Sequence, residues 1–273
     1  MSVYFGQKAR RPGFTLVELL VVIAIIAILA SMLLPVLAAA KTKAKQIQCL
    51  NNMHGMEIAI NIYAADFGDK LPVMQGSANW CWDLPDPVAQ IMLSSGLTKK
   101  SFYDPGTEPR FDDYLNWAGP GFGSTSTFWN YSVTATPPAP TDFHIIGYAL
   151  TFGGPASFLS LSNQNTTLQP EYVTIGLNKV RMSASDRVLV ADAIISNNAF
   201  SPSYAHPNNI YSQVNIGYHP NGQSNQGTSP HLKGIMPEGG NAGYKDGHAA
   251  WHKFNNPANP MVLRNATGLN FWW

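Results

Sequence analysis

An α+β chain, one long N-terminal helix followed by a strand-rich head, is what three features of this 273-residue sequence predict. From Phe14 to Leu34 the only polar side chains are Thr15, Glu18 and Ser31, and as a helix this run is about 32 Å long, enough to cross a bilayer core. Beyond it Cys49, Met53, Met56, Ile60, Tyr63 and Phe67 recur at alternating spacings of four and three, an amphipathic stripe that continues the helix. The C-terminal half then carries short β-branched runs bounded by turn formers.

The elements follow in order. The helix is expected from about Phe14 to Phe67, with Pro35 as a bend inside it and Gly68-Asp69 then Pro72 as its stop. Its stripe faces the core of the head, and Gln46, Asn52, Glu57 and Asn61 between the stripe positions are expected to face away. From Leu71 to Phe143 regular patterning fades among Pro, Gly, Asp and aromatic residues. Within that stretch Pro85–Ser95 reads as a short helix with Val88, Ile91 and Met92 on one side, and Thr134–Thr141 as an extended linker. Ile145–Phe152 and Arg187–Ile194 read as central strands, with a shorter one at Tyr172–Ile175. Ala242–Phe254 reads as a β-hairpin closed by a two-residue type I′ turn at Asp246-Gly247. No internal repeat is visible.

Glu18 turns the apolar run into more than an anchor. An ionisable side chain inside a membrane span costs about 3 kcal/mol near the bilayer centre, so it needs a partner. The nearest cationic residue, Arg11, lies beyond Pro12-Gly13. Cutting the chain after Gly13 would create an α-amino group at Phe14, about one helical turn from Glu18, and a neighbouring copy could present the same charge. A secretory signal peptide has a shorter apolar core, and a plain anchor leaves Glu18 unexplained.

These residues resemble the type IV prepilin and type II secretion pseudopilin group. The matching segment is K-A-R-R-P-G, residues 8–13, followed by F-T-L-V-E-L-L-V-V-I-A-I-I-A-I-L-A, then Pro35 and a lysine-bearing helix. The resemblance implies a pilin-like α+β fold, with the long N-terminal helix packed on an antiparallel sheet head with long loops. It implies three parts: a leader at 1–13, the helix at 14–67 with its assembly segment at 14–34, and an extracytoplasmic head at 68–273. It implies that a prepilin peptidase cuts between Gly13 and Phe14, that Phe14 is N-methylated, and that Glu18 pairs with the terminal amine of an adjacent subunit while Pro35 lets the helix bend.

The implied partners are the peptidase, inner-membrane assembly machinery, membrane lipid, and copies of the chain with other pilin-like subunits in a filament. The implied location is a single pass through the inner membrane with the head outside the cytoplasm, then a periplasmic or cell-surface filament. Charge counting alone leaves orientation tied, because Lys8, Arg10 and Arg11 precede the span and Lys41, Lys43 and Lys45 follow it. The resemblance places the leader in the cytoplasm.

Loss of the leader leaves 14 basic residues against 16 acidic ones, a formal charge of −2 that gives nucleic acid no footing. Charged residues are only 12% of the chain, about half the usual share, which suits close packing against identical copies. Hydrophobic residues at 45% are enough for one sizeable core.

The C-terminal region resembles a pilin-like subgroup with a histidine upstream of an Asp-Gly-His hairpin, here His231 and Asp246-Gly247-His248, with Asn241 also fitting. Fourteen residues separate His231 from Asp246, where the subgroup's usual form has nine. Asp192, His231, Asp246 and His248, with His219, are candidate ligands for zinc or calcium, although their spacing matches no metal motif. No cofactor is otherwise implied. Cys49 and Cys81 either form a disulfide, which an extracytoplasmic location permits, or Cys49 is a small apolar residue at the helix interface.

Catalytic signatures are missing from the sequence. It has no G-x-S-x-G, P-loop or H-E-x-x-H, and G-P-G-F-G at Gly119–Gly123 lacks the strand and helix of a dinucleotide fingerprint. The chain is therefore expected not to be an enzyme. Two functions stay open: a structural pilus or type II secretion subunit, or a filament-borne binding head for carbohydrate or a secreted substrate. Burial of Trp80, Trp82 and Trp117 favours the first, and their exposure as stacking platforms the second.

Overall fold

A computed structural model describes residues 15–74, 80–107, 129, 143–155, 157–175, 177–196, 210–211, 214–218, 224–254 and 270–273. Gly13, Phe14, Trp117, Gly119–Gly123, Thr134–Thr141 and His219 lie outside them. One helix runs Leu16–Asp66, through Pro35. It stops where expected: Gly68 and Asp69 both take positive φ, at 65° and 62°, and the Asp69 N–H donates to the Ala64 carbonyl at 2.7 Å, the 6→1 bond of a Schellman ending.

The chain divides into two compact units, one up to Ala44 and one from Lys45, so the boundary falls inside the helix. In the first, apolar side chains are exposed in every direction around the helix axis, from Leu16 through Leu37. None of its most apolar stretch is buried, and the helix is long and apolar enough to cross a membrane.

In the second unit the stripe does what its spacing predicts at Cys49, Met53, Met56 and Ile60, all buried. Tyr63 and Phe67, at the helix end, instead stack on each other with ring centroids 4.3 Å apart, Phe67 being exposed. Two polar residues expected to face away are buried: Gln46 and Glu57. Glu57 fits because Gly243 lies beneath it, where a Cβ would stand 1.7 Å from the Glu57 Oε1 and 3.2 Å from Met53 Cγ. The missing side chain is what lets helix and sheet close at that point.

That sheet is antiparallel and four-stranded, in the order Ala249–Lys253, Gly239–Tyr244, Val188–Asp192, Tyr148–Leu150. The expected strand at Ile145–Phe152 is broken at residues 146 and 147. Phe143–Ile145 pairs with Asp83–Pro85, while Ile146 and Gly147 donate to the carbonyls of Trp82 and Phe102. Gly147 permits the break, since a Cβ there would meet the Asp104 backbone nitrogen at 2.7 Å. The run from Arg187 likewise changes partner, with Ile194–Ser196 pairing with Asn270–Trp272.

Glu171–Ile175 forms a hairpin with the exposed, polar strand Asn178–Met182, whose composition hides it from a burial-based reading. A further pair, Val214–Tyr218 with Ser224–Gly227, was also not foreseen. The short helix is present at Asp86–Ser94, burying Val88 and Met92.

The hairpin at the C-terminal end is present, but its turn differs. Tyr244 faces His248 through an N–H to carbonyl bond of 2.9 Å, the Gly247 N–H closes onto the Tyr244 carbonyl at 3.0 Å, and within the loop only Gly247 has positive φ, 86°. A type I′ turn needs positive φ at two residues, so this is a three-residue loop, Lys245–Gly247, with glycine at the left-handed position.

The main core joins Met53, Met56 and Ile60 of the helix to Tyr148, Leu189 and Phe271, and a smaller cluster holds Ile194, Tyr211, Phe254 and Trp272. Trp82 is buried edge-on to Phe271 at 5.0 Å, and half-buried Trp80 meets Phe158 edge-on at 4.9 Å. Neither is an open stacking platform.

Candidate functional site

At the N-terminal segment, Thr15 caps the helix. Its N–H and hydroxyl donate to Glu18 Oε2 at 2.8 and 2.7 Å, and the Glu18 N–H donates back to Thr15 Oγ1 at 3.2 Å. This is a reciprocal capping box, legible in the sequence as Thr-x-x-Glu before an apolar run and not foreseen. It gives Glu18 partners within one copy, at the first turn where a carboxylate also suits the helix dipole. Pro35 sits in the helix interior with its neighbours exposed.

Four segments of the head converge on a second site. The helix supplies Cys49, the loop after the 3-10 turn Lys99–Phe102 supplies Asp104, the end of the Val188–Asp192 strand supplies Asp192, and the loop before the hairpin supplies His231. All four are buried, and one ligand atom from each lies within 4.8 Å of the others. The Cys49 thiol donates to Asp104 Oδ1 at 2.5 Å. His231 Nε2 stands 3.3 Å from Asp192 Oδ2 and 3.8 Å from Asp104 Oδ1.

The surroundings hold these groups in place. Asp192 Oδ2 accepts from the Asn241 N–H at 2.6 Å and from Asn241 Nδ2 at 3.0 Å, and Asp104 Oδ1 accepts from the Gly106 N–H at 2.6 Å. Trp251 meets the His231 ring edge-on at 5.2 Å. His231 adopts φ 53°, a left-handed conformation that costs a non-glycine residue about 1 kcal/mol or more.

Burial first, and then the Asp192 carboxylate, push Asp104 up to about 7. Burial drives the Cys49 thiol far up as well. For His231, burial acts downward, but the Asp192 and Asp104 carboxylates outweigh it and hold the imidazole above its usual value.

The four ligands anticipated from sequence are thus divided. Asp192 and His231 are together, whereas Asp246 and His248 sit on the exposed hairpin loop and bond to each other, Nδ1 to Oδ1, at 2.6 Å. Turn chemistry places them there, with Asp246 also accepting the His248 N–H at 3.2 Å. Cys49 and Asp104 complete the group in their stead, and neither carried a recognisable metal spacing in sequence. The Cys49–Cys81 disulfide is not formed: both thiols are free and buried, Cys49 turned to Asp104 and Cys81 packed in the main core.

The hairpin loop is pinned from below. Lys245 Nζ, fully buried, is 2.8 Å from Glu171 Oε2, while Arg187 donates to Asn165 Oδ1 at 2.8 Å and to the Ser162 and Gln164 carbonyls, both at 2.5 Å.

Residues 8–34 match the prokaryotic N-terminal methylation motif. Over 105 residues the chain is 32% identical to the type II secretion system core protein G of Aeromonas hydrophila, a stretch covering 38% of this chain and 73% of that protein. A 63-residue stretch is 38% identical to core protein G of Pectobacterium carotovorum subsp. carotovorum, covering 23% of this chain and 40% of that protein. No solved structure matches.

Proposed function

This chain belongs to the pilin and pseudopilin family that includes the type II secretion system core protein G, and from that premise we propose how it works as a structural filament subunit. A prepilin peptidase cuts between Gly13 and Phe14 and Phe14 is N-methylated. The apolar helix then holds the subunit in the inner membrane with its head outside the cytoplasm. Assembly machinery draws it into a periplasmic or surface filament with other pilin-like subunits.

The observation that carries this reading is the methylation motif over residues 8–34, coinciding with a helix segment whose apolar side chains the chain itself leaves uncovered. Such a surface is stable only in lipid or against other copies. On assembly, Glu18 exchanges the Thr15 hydroxyl and N–H for the positive terminus of a neighbouring Phe14.

Three variants test it in cells that make the filament. Gly13→Leu should block processing, so the chain keeps its first thirteen residues. Glu18→Gln retains a capping partner for Thr15 and removes the charge; it should be processed yet absent from sheared or crosslinked filaments. Thr15→Ala loses the cap, keeps the charge, and should still be incorporated. Normal incorporation of Glu18→Gln would refute the pairing.

A further inference from the structure

We propose that Cys49, Asp104, Asp192 and His231 form a tetrahedral zinc site that ties the long helix to three segments of the head. The donor set is one thiolate, one imidazole nitrogen and two carboxylate oxygens, which suits zinc and not calcium or magnesium, whose ligands are all oxygen.

Besides the clustering, a separate observation points to a bound cation. Asp104 Oδ2 and Asp192 Oδ1 are buried and accept no hydrogen bond, although their residues are 1% exposed or less. Burying one unsatisfied polar atom costs about 1–3 kcal/mol, and more when it is charged. Two carboxylate oxygens of clustered residues are thus left without a donor from the described residues, as oxygens that face a cation would be. The Asn241 and Gly106 donors reach only the other oxygens, Asp192 Oδ2 and Asp104 Oδ1.

Bond lengths of about 2.0–2.3 Å to zinc place tetrahedral ligand atoms about 3.3–3.7 Å apart. The His231–Asp192 separation of 3.3 Å falls at the lower edge of that range, and the His231–Asp104 separation of 3.8 Å lies just beyond its upper edge. Cys49 and Asp104, at 2.5 Å, move apart when the thiol proton leaves to solvent and zinc takes its place. With the protons of Cys49, His231 and Asp104 released to solvent, two carboxylates, a thiolate and a neutral imidazole give the occupied site a net charge of −1, against −3 for the same ionised ligands without the metal.

Asn241 acts on the site through Asp192. Its backbone N–H and side-chain amide fix the carboxylate from a second direction, as outer partners of metal ligands do, and losing the side chain should weaken zinc binding by about 10–100-fold.

The test uses the full chain purified in detergent micelles. Elemental analysis should find about one zinc per chain. Treatment with a strong chelator should lower the melting temperature, zinc should restore it, and calcium should not. Cobalt(II) added to the chelator-treated wild type should give a near-ultraviolet thiolate-to-cobalt absorption, lost in Cys49→Ser. That spectrum is read on the wild type, so the outcome does not depend on how well a variant folds. Folded wild-type chain that takes up neither zinc nor cobalt would overturn the proposal. So would full zinc occupancy in both Cys49→Ser and His231→Gln.

Discussion

Residues 16–44 and 45–66 belong to one helix and obey opposite rules. The first stretch is apolar all round as far as Ala40, with its one acid at the start, held in a capping box. The second is apolar on one face, and it buries Gln46, Cys49 and Glu57 among its methionines. An all-round apolar helix needs its cover from outside the chain, whereas a striped helix with buried polar groups needs a specific surface made by the chain itself. The same secondary structure therefore serves assembly in one half and fold specificity in the other.

Core truncation should separate the halves most sharply. Met56→Ala or Ile60→Ala should each destabilise the head by about 2–5 kcal/mol in a chemical melt, because both side chains are fully buried. Ile25→Ala and Ile28→Ala, at exposed positions, should leave that melt unchanged. A matching loss at Ile25 or Ile28 would mean the two stretches are not independent.

Next in size is the support beneath the hairpin. Lys245→Ala removes the closest cation from Glu171, which keeps Arg187 at 4.0 Å and the Thr166 donors, and should cost about 1.5–3 kcal/mol, the range for a hydrogen bond to a charged group. Gly243→Ala should cost about 1–3 kcal/mol, since the new methyl group enters the space of the Glu57 carboxylate. Combining it with Glu57→Ala should recover part of that loss, and strict additivity would show that the two residues do not meet.

Two carboxyls, one buried and one half-buried, should titrate in opposite senses. Burial holds Glu57 above the ordinary 4.5, with His54 offsetting only part, so the folded state keeps its proton longer than the unfolded state does. Its stabilising share is full below 4.5 and is lost as pH rises through the folded value; Glu57→Gln should flatten that decline. For Glu171 burial acts upward, but hydrogen bonds from Lys245 and Thr166 win and hold it below 4.5. Its share is present above 4.5 and is lost as pH falls through the folded value, and Glu171→Gln should remove it. The smallest effect belongs to His248→Ala on the exposed loop, within about 0.5 kcal/mol.

Local rules explain what was legible. The helix, its stop at Gly68-Asp69, the stripe from Cys49 to Ile60, the short helix and the C-terminal hairpin all rest on spacing or turn residues within a few positions. The breaks at Gly147 and Ala193 were not legible, because strands there change partners to satisfy distant backbone groups. The burial of Glu57 depends on Gly243, almost two hundred residues away in sequence, which no periodicity reveals.

The same limit governs the ligand cluster. Asp192 and His231 stood out as residue types, and Asp246 and His248 stood out with them for a reason that was only turn chemistry. Cys49 and Asp104 join the site through folding alone. The Thr15–Glu18 box was within reach of the sequence, since its spacing is that of a standard helix start.

Intact mass and N-terminal sequencing of the chain recovered from sheared filaments bear most directly on the assembly half of this helix. Processing predicts a polypeptide that starts at an N-methylated Phe14 and lacks residues 1–13. A membrane-bound chain that retains those residues and never enters a filament would contradict it.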